Sequence, residues 1–233
     1  MFNDKTYIAD NIKRVRELIG EAAVKTGRVP EDIKLVAVTK TKPVDSIRQA
    51  IEANVDAIGE NRVQEMLEKR TNCAYEGAPL HFIGHLQSNK VSKIVGICNL
   101  IESVSSKTLI ELIGKKAVSL GIIQDILIEI NVGREPQKSG IFPEQTDEIL
   151  DFASQVDGVN VLGLMAIPPI IDEKVTNCYY YDTMFKLFVD MRAKKYDNVS
   201  VRLLSMGMSD SYIDAIHAGS NMVRIGSALF GRR

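Results

Sequence analysis

The chain has no tryptophan, and only 6% of its 233 residues are aromatic. Its three cysteines, Cys73, Cys98 and Cys178, are odd in number and far apart, with no C-x-x-C pair. That argues against a disulfide framework and for a reducing, cytoplasmic compartment. There is no excess of either charge: 29 Lys+Arg face 30 Asp+Glu, for a net charge of -1. Bulk electrostatics therefore draw the chain to neither nucleic acid nor a membrane surface, although a local basic pocket stays open. The N-terminus, MFNDKTYIADNIKRV, lacks the apolar core of a secretory signal. The most apolar stretch, Val159 to Ile171, is broken by Asn160, Gly163, Pro168 and Pro169, so no run reaches membrane-spanning length. No low-complexity tract or Gly/Ser linker divides the chain, and residues 1–233 are expected to form a single domain.

What is present is an ordinary globular composition, 45% apolar and 25% charged. A recurring pattern runs through it: a short β-rich run, a turn, then an amphipathic stretch. Ile8, Ile12, Val15, Leu18 and Ile19 stand at helical spacing and predict a lead-in helix over 5–25. Strands are predicted at 34–40, 55–60, 81–84, 99–104, 125–132, 160–166, 201–206 and 222–226. Helices are predicted at 46–53, 63–70, 108–120, 144–154 and 178–195. Such alternation implies parallel strands joined by right-handed crossovers. Eight units in this length fit a (β/α)8 TIM barrel. The rival is a doubly wound open sheet, which usually shows a glycine-rich first turn; VTKTKP has none.

In a barrel, function gathers where strands end. Alternation places Val36, Val38 and Lys40 on one strand face, so Lys40 would cap an inward column. Desolvation there would favour the neutral amine that attacks carbonyls. Lys42 shares that face but precedes Pro43 and is expected in an exposed loop. Asn61, after Gly59-Glu60, reads either as a pocket residue or as the cap of the next helix with Gln64. His81 and His85 lie in a strand and turn with no acidic third ligand nearby, so no metal is expected. Ser88 reads as a helix N-cap. Met222, Arg224 and Gly226 share a face, and an inward arginine calls for a carboxylate partner, with Glu60 or Glu129 as candidates. Ser209 or Asp210 is placed to cap a helix running to about His217. With Gly226-Ser227, that gives two Gly/Ser-rich loops after strands seven and eight, where barrels often hold phosphate. A strand-one lysine, an inward arginine and a phosphate cradle together suit a phosphorylated aldehyde.

The stretches VAVTKTKP, IGENRVQE, HFIGHLQSNK, GLMAI, LSMGMSDSY and VRIGSALFG occur in order from about Lys34. Together they closely resemble the pyridoxal phosphate homeostasis protein family. That family is a barrel similar to the N-terminal domain of alanine racemase, without the racemase's C-terminal β domain. The resemblance implies that Lys40 carries pyridoxal 5'-phosphate as an internal aldimine and that Ser209, Gly226 and Ser227 hold the phosphate. It implies that Arg224 approaches the pyridine nitrogen and that Asn61 and Met165 line the ring pocket, with Ser205 and Met206 as neighbours. Thr39 and Ser227 are mild variants of a Ser/Thr choice, and His85 sits in a variable slot. The sequence stops at Arg233, directly after the eighth unit, so no second domain with its tyrosine base is expected.

An arginine at the ring nitrogen disfavours a proton there and weakens the ring as an electron sink. The resemblance thus implies a monomeric carrier in vitamin B6 homeostasis with little or no turnover, in transient contact with apo PLP-dependent enzymes. The alternatives are an amino-acid racemase or lyase using Tyr212 or Lys42 as base, and a Schiff-base aldolase with no bound cofactor.

Overall fold

The structure, a computed structural model, describes residues 4–169 and 178–231, with side chains from residue 7. Eight strands among them form a closed barrel in sequence order: β1 (Lys34–Val38), β2 (Ala57–Glu60), β3 (Leu80–Phe82), β4 (Leu100–Val104), β5 (Gln124–Ile130), β6 (Val159–Ala166), β7 (Val199–Ser205) and β8 (Met222–Ile225). Neighbours pair in parallel, and β1 meets β8 to close the ring. The (β/α)8 expectation holds, and the open-sheet rival is excluded by that closure.

The strands separate two cores. Leu35 and Ala37 face outward with the larger cluster beneath the helices. Val36, Ala57, Leu100, Leu127, Leu162, Met165 and Met222 fill the barrel interior. Period-two alternation produces this division, and burial on both faces explains why the strands read as nearly continuous apolar runs. At β6, only glycine fits position 163: a Cβ there would lie 1.9 Å from the Leu203 carbonyl oxygen of β7. The β6–β7 register shifts beside this contact.

The helices are α1 (Asp4–Lys25), α2 (Val44–Glu52), α3 (Val63–Arg70), α4 (Lys107–Ser119), α5 (Thr146–Ser154), α6 (Cys178–Arg192), α7 (Tyr212–His217) and α8 (Ser227–Phe230). The stripe Ile8, Ile12, Val15, Ile19, Ala22 and Ala23 buries one face of α1. That face packs against α2, α7 and α8. Asn11 Nδ2 donates to Leu229 O at 2.9 Å, tying α1 to the last turn beyond β8. Ser106 Oγ caps α4 by accepting from Leu109 N–H. Ser88 is not a cap: it opens a 3-10 segment, Ser88–Lys93, preceded by Gln87, and no side chain caps that start. Among the described residues no helix is long and apolar enough to cross a membrane.

Candidate functional site

Two adjoining lobes open at the C-terminal mouth of the barrel, with cavity volumes of about 340 and 290 Å³. Both are lined by Val38, Lys40, Met208 and Arg224. The first adds Thr41, Lys42, Ser209, Asp210, Gly226, Ser227 and Gly231. The second adds Asn61, Ile83, Gly84, His85, Glu129, Ile130, Lys138, Ser139 and Ile167. The cleft thus spans strand one on one side and the loops after β7 and β8 on the other.

Lys40 lines the mouth, but from the turn that follows β1 and not from the strand itself, and its surroundings differ from the expectation. Lys40 is exposed, not enclosed, because the strand ends at Val38 and the chain is already turning. Lys42 is the half-buried one: its Nζ donates to Phe230 O at 3.0 Å and lies 5.9 Å from the Phe230 ring centroid. The C-terminal turn folds back over Lys42, a long-range contact that the local X-Pro pattern could not show.

Ser209 does not cap α7, and neither does Asp210. Ser211 precedes that helix without a side-chain cap bond. Ser209 Oγ instead accepts from Gly226 N–H at 3.2 Å and Ala228 N–H at 3.3 Å, joining the two loops. Asn61 is no cap either, since Arg62 occupies that place before α3. Its Oδ1 is buried without a partner. Gly84 lets β3's exit press against it: a Cβ on Gly84 would lie 2.1 Å from Asn61 O.

Beneath the mouth lies a polar layer. Arg224 is 3% exposed. It donates from Nη1 to Ser205 Oγ at 2.5 Å and from Nη2 to Ala166 O at 2.9 Å. Ser205 donates to Glu102 Oε2 at 2.6 Å, and His81 Nδ1 lies 2.7 Å from Glu102 Oε1. Arg224 itself is 3.9 Å from Glu102. The partner carboxylate is therefore Glu102, not Glu60 or Glu129. Glu60 is out of phase: it faces outward to Lys69 and Thr39. Burial pushes the Glu102 carboxyl up, but His81, Arg224 and Ser205 outweigh it and hold the group below its ordinary value. Burial pulls the Arg224 guanidinium down, opposed by Glu102 and Glu129. Glu129 has no partner for Oε2; burial pushes it up to about 7, with Arg224 pulling the other way.

Lys40, Ser209, Arg224, Gly226 and Ser227 share the first lobe, and Asn61 joins Lys40 and Arg224 in the second. Met165 and Ser205, both fully buried, line neither lobe; Met165 belongs to the barrel interior below. Met206 lines neither lobe: it packs outward into the larger core, one residue out of phase with inward Ser205. Glu102 and His81 were missed as partners of the arginine layer. The signal was present in LIESV, where Glu102 interrupts the inward phase of an apolar strand.

The family model described as alanine racemase, N-terminal domain, matches residues 4–233. A pyridoxal phosphate homeostasis protein from Aquifex aeolicus is 39% identical over 224 residues, 96% of this chain and 97% of its own. The chain belongs to the pyridoxal phosphate homeostasis protein family. Solved structures share the fold along most of the chain. PipY from Synechococcus elongatus, with PLP bound, superposes with a TM-score of 0.79 at 30% identity, covering 91% of this chain and all of its own. An unknown protein from Bifidobacterium adolescentis gives a TM-score of 0.90 at 34% identity, covering 99% of this chain and 97% of its own.

Proposed function

We propose that the protein binds pyridoxal 5'-phosphate in this cleft, covalently through Lys40, and keeps or hands on the reactive aldehyde with little or no turnover. The observation that carries this reading is that Lys40 and the Ser209–Gly226–Ser227 loops line one cavity. The residues fit the group. Lys40, Lys42 and Arg224 against Asp210 give the first lobe a cationic balance that suits a phosphate. Asn61 and Glu129 line the second lobe, and each carries a buried oxygen without a partner, Oδ1 and Oε2, that a hydrogen-bond donor reaching it would satisfy. Ser209, Ser227 and backbone amides near Gly226 would hold the phosphate, Asn61 would face the ring, and Arg224 would serve its nitrogen. Met165 and Ser205 would support the floor from below.

When bound, the cofactor supplies an aldehyde that condenses with primary amines and a ring that accepts electron density. Arg224 is a donor-only side chain held by Ser205 and Ala166, so it favours an unprotonated nitrogen beside it. The two candidate bases for a racemase or lyase are engaged elsewhere. Tyr212 is buried in the outer core, and Lys42 donates to Phe230 O. We read the chain as a single-domain, monomeric, cytoplasmic carrier whose partners would be apo PLP-dependent enzymes, with no nucleic acid or membrane among them.

Two measurements test this. The purified protein mixed with pyridoxal phosphate should develop the visible absorbance of lysine-bound cofactor. Amino acids incubated with it in deuterated water should keep their α-protons. Enzyme-like exchange abolished by Lys40→Ala would establish the racemase or lyase reading instead; no visible absorbance would favour the cofactor-free aldolase.

A further inference from the structure

Lys40 occupies the second place of a tight turn. Thr39 O accepts from Lys42 N–H at 3.0 Å, and Thr41, in third place, has φ 63°. That conformation is usually left to Gly or Asn, and a β-branched residue adopts it only when its surroundings hold it there. The surroundings here are two side chains of α3. Lys69 is 8% exposed. Its Nζ lies 2.7 Å from Thr39 O, 2.7 Å from Glu60 Oε1 and 2.7 Å from Glu65 Oε1. Three acceptors match the three hydrogens of the ammonium. Glu65 also accepts from Thr41 N–H. The carbonyl before Lys40 and the amide after it are thus gripped by one ion pair.

A purely structural pair would be satisfied by Glu60, which is fully buried and also takes the Thr39 hydroxyl at 2.7 Å and the Tyr75 hydroxyl at 3.2 Å. Glu65 is different. Burial pushes its carboxyl up, yet bonds from Lys69 and the Thr41 amide outweigh this and keep it below its ordinary value. It is therefore a charged acceptor aimed at the turn. We propose that Lys69 and Glu65 are positioning residues that fix the turn so that Lys40 emerges free into the cleft while Lys42, on the same lobe, stays tied to Phe230 O. This rests on the reading of Lys40 as the covalent anchor.

The test compares the parent with Glu65→Ala, Glu65→Gln and Lys69→Met. Pyridoxal phosphate is added, the adduct is trapped with borohydride, and the peptides are mapped. Exchange of the Thr41 amide is followed by NMR in the cofactor-free protein. Loss of the acceptor in Glu65→Ala should slow capture about tenfold, the scale of one charged hydrogen bond. It should also move part of the adduct from Lys40 to Lys42 and speed exchange at Thr41. Glu65→Gln, which still accepts, should behave nearly as the parent. Should Lys69→Met fail to fold, the Glu65 pair still decides, because Glu65 lies at the α3 surface with its side chain 20% exposed. Parental capture, an adduct wholly on Lys40 and a protected Thr41 amide in Glu65→Ala would overturn the clamp alone. A Gln variant as slow as the Ala variant would refute the acceptor role. A parent with no adduct on Lys40 would remove the anchor reading and the clamp with it.

Discussion

At the scale of single residues, the proposed site separates holding the phosphate from bonding the aldehyde. Ser209 Oγ joins the loops after β7 and β8, 17 residues from Gly226 in sequence. Ser209→Ala should therefore weaken retention of pyridoxal phosphate more than it alters bond formation with phosphate-free pyridoxal. Equal retention by variant and parent in a dialysis assay would take Ser209 out of the cradle. Glu129 gives a pH signature of the cofactor-free protein. Burial raises its carboxyl from 4.5 to about 7, so the folded chain holds that proton more tightly than the unfolded chain. Stability then falls as pH rises through that window, and the loss, at most about 3 kcal/mol, is complete above it. Glu129→Gln removes the titration, so its Tm relative to the parent should climb across the window and level off above it; a difference flat with pH contradicts the assignment. Lys40, Ser209 and Arg224 were legible from strand phase and loop composition. The exposure of Lys40 and the half-burial of Lys42 were not: β1 ends at Val38 and the chain turns at Lys40, while Phe230 and Gly231, far along the chain, hold Lys42. Met206 was placed in the site by resemblance, while its own phase, opposite to Ser205, sends it into the outer core.

At the scale of elements, α1 shows how far periodicity reaches. Its apolar stripe was readable, and the structure adds what the stripe meets: α2, α7 and α8, the last of these forming the wall behind Ser227. Ile12 is 2% exposed at the middle of that face. Ile12→Ala should cost about 2–5 kcal/mol. Thermal or urea unfolding would read this, and a loss below about 1 kcal/mol would mean that α1 is only loosely seated. Helix starts were less legible than helix faces. Asn61, Ser88 and Ser209 all carry cap-type side chains, yet none caps the helix that follows it in sequence. The same hydrogen-bonding chemistry that suits a cap also suits a pocket wall, and only tertiary placement chooses between them. Gly163, by contrast, carried a signal that sequence could not decode: the Leu203 carbonyl that forbids a Cβ belongs to the neighbouring strand.

At the scale of the whole molecule, eight alternating units closed as expected because each strand is flanked by an element that covers its outer face. The near-zero net charge concealed a local arrangement: lysines and an arginine gather at one end of the barrel around orphaned oxygens. That arrangement came from strand phase, which sums over charge cannot see. It also makes the carrier reading compatible with the racemase fold: in that reading the barrel positions an amine and a phosphate cradle, while the two candidate bases, Tyr212 and Lys42, are turned into the core and onto a backbone carbonyl. The central claim is that Lys40 alone bonds the cofactor. Borohydride reduction of the protein loaded with pyridoxal phosphate, followed by peptide mapping, tests it most directly. The account predicts a single reduced adduct on the peptide carrying Lys40, absent in Lys40→Ala; an adduct confined to Lys42, or unchanged in that variant, would contradict it.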